Sequence, residues 1–185
     1  MEALDVLLNR VSVPRLVEPA PTQVQREILF EAALRAPDHG QLRPWRFLTV
    51  EGAAREQLGE VLVQAVQASG EASEAAMQKA RGMPLRAPLL VVVIASLVEH
   101  HKVPASEQLL AAGCAAHGIL LAAYAQGIGA VWRTGELSYS PVVAESLGLL
   151  DNEQVIGFLY LGTPVNPPRE APKVELADYV SVWSA

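Results

Sequence analysis

The stretch "APLLVVVIAS", residues 87–96, is an unbroken apolar run rich in β-branched side chains. It is too short for a buried helix of ordinary length, and it has no polar face to give to water. Such a run reads as a central strand covered on both sides. Working outward, the flanking sequence has to supply a layer for each face. Residues 22–36 open on Thr22 and Gln25, a capping-box pair, and then carry Val24, Ile28, Leu29, Ala32 and Ala33 at helical spacing, up to the stop before Pro37. Residues 53–68 repeat the 3.6-residue period with Leu58, Val61, Leu62, Ala65 and Val66. Residues 2–10 read as a short helix with Leu4, Leu7 and Leu8 inward, and residues 71–81 as a charged, exposed helix. Residues 106–126 form a long, small-residue helix. Further strands are expected at 45–50, 129–133 and 155–162, and Ser140-Pro141 caps a helix that ends at Gly148. Helices and strands mix without a regular βαβ rhythm, so the class is α+β with one sheet. The whole chain, 1–185, reads as a single domain. Its tail, 163–185, holds Pro164, Pro167, Pro168 and Pro172 and reads as an arm toward a neighbouring subunit, with a strand around Tyr179 to Trp183.

Composition narrows the functions. The chain is 51% hydrophobic and 18% charged, with a formal net charge of −6. The apolar share favours contact with a second copy, and the negative balance argues against a nucleic-acid partner. The single cysteine, Cys114, excludes an internal disulfide and reads as a small buried side chain. No ligand-spaced Cys/His set exists, so no metal site is expected. Residues 109–125 are uncharged with His117 neutral, but short for a membrane span and rich in Ala and Gly; a helix buried in a core or interface is the better reading. Glu2 and Asp5 come where a secretory signal would be basic, so the expected location is cytoplasmic.

There is no Walker loop, no G-x-S-x-G and no H-E-x-x-H, so classical nucleophilic and metal chemistry has no visible carrier. "GIGA", 127–130, lies between helix and strand, the reverse of a dinucleotide fingerprint, and reads as a helix-terminating turn. Basic residues instead recur at element ends: Arg10 with Ser12 and nearby Arg15, then Arg35, then Arg133 with Thr134. Singly each is a solvated surface charge. Together, in an acidic chain, they suit one phosphate-bearing ligand, since Arg offers paired planar donors and Ser a hydroxyl. The junction "RAPDHGQLRPWRFLTV", 35–50, adds Pro37, Asp38, His39 and Gly40 between a helix and a strand. Read alone, Asp38 is an Asx-type turn residue, Trp132 is core packing, and His39 serves a turn or a ligand equally well.

"NRVSVPRL", "RAPDHGQLRPWRFLTVEG", "QGIGAVWRTG" and "VIGFLYLGTP" occur in an order and spacing that resemble the nitroreductase-like flavoproteins, and within them the compact YdjA-type branch. The resemblance covers nearly the whole chain. It implies a mostly antiparallel sheet surrounded by helices, in an obligate homodimer with exchanged C-terminal segments and FMN at the interface. It implies hydride transfer from NAD(P)H through flavin N5 to a nitro, quinone or similar small-molecule acceptor in a ping-pong scheme, with the flavin rather than a catalytic side chain carrying the chemistry.

Carried over by position, Arg10 and Ser12, with the Val11 backbone, would hold the FMN phosphate or ribityl chain, and Arg15 is the later basic position. Pro37, Asp38, His39 and Gln41 would reach the flavin from the partner, in a loop that usually holds Ser and Asn. Arg43 replaces a usual Gln. Trp132, Arg133 and Thr134 would lie beside the isoalloxazine ring. Arg169 and Lys173 do not match the C-terminal basic positions of larger relatives, and Arg35 is the better substitute. Two other readings stand beside this one: a non-catalytic FMN-binding or storage protein, and an offshoot with another flavin chemistry.

Overall fold

A computed structural model describes residues 2–70 and 73–184. Along the chain it contains α1 (Ala3–Asn9), β1 (Leu16–Val17), α2 (Gln23–Ala33), β2 (Trp45–Glu51), α3 (Ala53–Ala68) and α4 (Glu74–Gly82). There follow β3 (Leu89–Ser96), α5 (Ala105–Ala125), β4 (Gly129–Arg133), α6 (Pro141–Ser146) and β5 (Glu153–Pro164). Every strand pair is antiparallel, and the order is β1-β5-β3-β2 with β4 also on β5.

β3 is buried from Leu89 to Ala95. Side chains alternate across a strand, so this one strand feeds two cores. Leu90, Val92 and Ile94 pack with Leu58, Leu62 and Val66 of α3, Ala80 of α4 and Val143 of α6. Leu89, Val91, Val93 and Ala95 pack with Leu29 and Ala33 of α2 and with Ala112, Ala115, Ala116 and Ile119 of α5. Each fully buried aliphatic side chain contributes roughly 1.5–3 kcal/mol over its exposed state. The apolar run therefore specifies a helix–sheet–helix sandwich, as its lack of a polar face required.

Two local devices aim the elements that matter below. α5 ends in a Schellman turn: Ile128 N donates to Ala123 O at 2.9 Å and Gly127 N to Tyr124 O at 3.0 Å, with Gly127 at φ 73°. This turn sends the chain directly into β4. On β5, Val93 pairs with Gly157 but Ile94 with Val155, which leaves Ile156 as a bulge. The indole of Trp132 lies in the space where a side chain on Gly157 would stand.

Several expectations need correction. Leu4, Leu7 and Leu8 are exposed, and α1 buries Val6 instead. Val24 and Ile28 are exposed too, although the capping box forms, with Thr22 N donating to Gln25 Oε1 at 2.9 Å and Gln25 N to Thr22 Oγ1 at 3.4 Å. Cys114 is exposed on α5. These positions belong to a face of α1, α2 and α5 that a single chain leaves bare; periodicity finds an apolar face but not what covers it. Ser140 sits at the N-cap of α6 without a side-chain cap bond. The expected helix at 71–81 begins at Glu74, and residues 71 and 72 lie outside the described residues. The expected strand at Tyr179 to Trp183 is absent. Among the described residues of 165–184 the only helical turn is a 3-10 turn at Leu176–Asp178, and none is in a strand. By length and composition α5 could cross a membrane, but 44% of its apolar window is buried inside the protein, against the sheet.

Candidate functional site

The first group of candidate residues hangs from the end of α1. Arg10 is its C-cap, and Val13 N donates to Ala130 O at 2.9 Å, which ties the following segment to β4. Val11 and Val13 are buried while Ser12 is exposed, the alternation of an extended chain. Arg10 and Val11 line a hollow with Leu120 and Tyr124 of α5. Ser12 lines the adjoining one with Arg15, Asn166 and Arg169. Arg169 has no motif around it to mark it; the arm brings it there.

The second group is the junction after α2. Asp38 spends its carboxylate on the loop itself, accepting from Leu42 N at 3.2 Å and from Arg43 N at 2.7 Å. The turn it holds is strained: Gly40 has φ 76°, but Gln41 at 53° and Arg43 at 48° are also left-handed without being glycine. Pro44 and Trp45 are buried and fasten the loop to β2. Arg35, Asp38, Gln41 and Arg43 surround a shallow hollow, with Pro37 exposed in the same loop. His39 Nδ1 lies 2.7 Å from Glu107 Oε2, in the first turn of α5. Glu107 had no sequence signal, since a surface acid at a helix start is ordinary.

The third group ends β4. Trp132 packs on the α5 side of the sheet, and Arg133 turns to the other side, its guanidinium carbon 5.7 Å from the centre of the Tyr160 ring. Arg133 Nε is buried with no hydrogen-bond partner. Thr134 is exposed. All three border a cleft of about 1050 Å³ between the α3–α4 layer and residues 134–142. Burial pushes the Tyr160 phenol pKa up, and the charges of Arg86 and Arg133 oppose the rise. Tyr160 and Arg86 escaped the sequence reading, because only strand register shows which core a Tyr in "VIGFLYLG" enters.

Within one chain these groups stay apart. α5 is the ruler: Glu107, beside His39, and Tyr124, beside Arg10, are separated along the helix by roughly 25 Å at 1.5 Å per residue. Arg10, Arg15, Arg35 and Arg133 have no ion-pair partner among the described residues. The chain thus offers unpaired cations in separate hollows, with the Arg10 hollow and the His39–Glu107 pair toward opposite ends of one long helix.

Residues 7–163 match the model of the Nitroreductase family. The chain is 46% identical over 181 residues to the Escherichia coli (strain K12) protein named "Putative NAD(P)H nitroreductase YdjA", covering 94% of this chain and 98% of that one. In fold it is similar to the nitroreductase-like family protein from Bacillus cereus, with a TM-score of 0.85 at 22% identity over 100% of this chain and 97% of that one. It is also similar to a Desulfovibrio desulfuricans protein described as a "putative nitroreductase in complex with fmn". There the TM-score is 0.75 at 20% identity, over 100% of this chain and 98% of the other.

Proposed function

The chain belongs to the nitroreductase family, and from that premise we propose that it is a cytoplasmic, homodimeric, FMN-dependent NAD(P)H oxidoreductase acting on a nitro, quinone or similar acceptor. The observation that carries the reading is the separation along α5 of the unpaired Arg10 in its hollow from the loop that holds His39 and the unpaired Arg35. A two-fold related copy, its α5 antiparallel to the first, sets the His39 end of one subunit against the Arg10 end of the other. The bare apolar face supports this: Leu4, Leu7 and Leu8 of α1, Val24 and Ile28 of α2 and Leu110 of α5 all need a cover. So do Leu176, Tyr179, Val182 and Trp183 of the arm, which is built to lie on a partner.

The residues present fit FMN. An unpaired Arg10, with Arg15 and the Ser12 hydroxyl, suits a phosphate. The cleft bordered by Trp132, Arg133 and Thr134 leaves room for a planar ring. FMN supplies hydride acceptance and donation at N5 when bound. Arg10, Val11 and Ser12 would hold its phosphate and ribityl end, and backbone groups of Trp132, Arg133 and Thr134 would address the ring. Arg35, Pro37, Asp38, His39 and Gln41 approach from the partner subunit. Asp38 acts by shaping its loop, since its oxygens are already taken by Leu42 and Arg43. Glu107 takes His39 Nδ1, so the bond left for a ligand is at Nε2. These residues would hold a nicotinamide or acceptor against the flavin, where proximity and orientation would contribute to the rate.

A visible absorption spectrum of the purified protein tests the reading. Bands of oxidised flavin that bleach on NADH or NADPH and return on adding a nitroaromatic or quinone are expected. A flavin that stays oxidised with both nicotinamides would leave a flavin-binding protein without this activity.

A further inference from the structure

The cleft beside Trp132–Thr134 carries more charge than a flavin ring calls for. Its walls are apolar, built from Leu58, Leu62, Val66, Leu90 and Phe158. Lys79, Arg86 and Arg133 line it against one carboxylate, Glu136. At its floor the Tyr160 side chain, in a residue only 5% exposed, lies with Arg133 over its ring and Arg86 near enough to act on its charge. Neither Arg86 nor the Tyr160 hydroxyl has a hydrogen-bond or ion-pair partner among the described residues, and Arg133 Nε is buried without one. A buried guanidinium nitrogen left unpaired is costly unless a ligand completes it, and the Tyr160 hydroxyl beside it is open to the cleft. Two cations and a hydroxyl donor, with apolar walls above, match an oxyanion attached to a flat hydrocarbon body.

We propose that Arg86, Tyr160 and Arg133 form an anion subsite in this cleft that binds the carboxylate of an aromatic acid. Guanidinium groups and the phenol donate to the carboxylate oxygens, while the ring lies along Leu58, Leu62 and Phe158. At about 1050 Å³ the cleft is at the upper end of what small-ligand sites span, and the acid takes the part of it around Arg86 and Tyr160. The assignment rests on the proposed oxidoreductase reading only where that acid also bears the nitro or quinone group that takes the two electrons; the subsite itself follows from the cleft.

Calorimetric titration of the purified, flavin-loaded protein with 1-naphthoate and with 1-naphthamide tests this, because the two differ in charge and neither is reduced. Naphthoate should bind roughly tenfold or more tightly than the amide, and the preference should shrink as salt is raised. Arg86→Gln, at an exposed position, should remove most of that preference while leaving the amide's affinity and the flavin content as they were. Tyr160→Phe should reduce it by a smaller factor. Equal binding of acid and amide, or an undiminished preference in Arg86→Gln, overturns the subsite. A protein that holds no flavin but still prefers naphthoate in an Arg86-dependent way keeps the subsite and sinks the oxidoreductase reading instead.

Discussion

Single side chains decide two quantities that can be measured separately. Arg10 is an unpaired guanidinium held at a helix end, so its proposed contact with phosphate is charge-assisted. Arg10→Ala should cost about 1.5–3 kcal/mol of binding, roughly a ten- to hundredfold loss of FMN affinity by fluorescence titration. Unchanged affinity would remove Arg10 from the site. Glu153 governs stability instead. It accepts from Arg46 Nε and Nη2 at 2.7 Å, from Ser96 Oγ at 2.6 Å and from Leu150 N at 3.1 Å, joining β2, β3 and the turn before β5. The Arg46 hydrogen bonds above all, then those from Ser96 and Leu150, hold its pKa down at about 2, against burial that pushes it up. A depressed carboxylate stabilises the fold above its unfolded pKa, and that contribution disappears as pH falls toward the folded value. Acid unfolding should therefore steepen between about pH 4.5 and 2. Glu153→Gln should flatten this part of the profile and cost about 1.5–3 kcal/mol in urea unfolding at neutral pH.

Among the elements, α5 does the most. Its small residues let it press on two neighbours, and Gly118 marks the tightest place. A Cβ there would meet Ala32 O of α2 at 2.9 Å and Ala33 Cα at 3.4 Å. Backbone cannot yield as a flexible side-chain tip can, so Gly118→Leu should destabilise the protein by about 1–3 kcal/mol, measured by thermal or urea unfolding. A wild-type midpoint in that variant would mean that α2 and α5 are further apart than described. The same helix sets the spacing between the Arg10 and His39 groups, and an α2–α5 shift would move both. The loop between α2 and β2 is the other decisive element. Its left-handed Gln41 and Arg43 persist because Asp38 accepts from the amides of Leu42 and of Arg43 itself, and Pro44 and Trp45 are buried.

For the whole molecule, the expected unit is two chains. Analytical ultracentrifugation of the holoprotein at micromolar concentration should give a dimer, since the apolar residues of α1, α2 and the arm are bare in one chain. A monomer that still carries FMN would contradict the divided site. If nicotinamide and acceptor take turns in one place, initial rates that vary both should give parallel lines. Intersecting lines would require both to be bound together.

The sequence by itself determined the layers. "APLLVVVIAS" admits only a strand covered twice, and the periodicities at 22–36, 53–68 and 106–126 supply the covers. Local chemistry also sufficed for the Thr22–Gln25 cap and for the glycine turn at "GIGA", because each needs only residues a few positions apart; Asp38 shapes its loop as expected of a turn residue, but through Leu42 N and Arg43 N and not through the amide two residues on. The sequence showed that Leu4, Leu7, Leu8, Val24 and Ile28 are apolar, but not that their own chain leaves them uncovered. Nor did it place Arg169 beside Ser12, Glu107 on His39, or Arg86 and Arg133 about Tyr160. Those pairings join residues far apart in the chain. They depend on strand register, on a bulge at Ile156 and on the length of α5, all of which are set by packing across the sheet and not by any local run of residues.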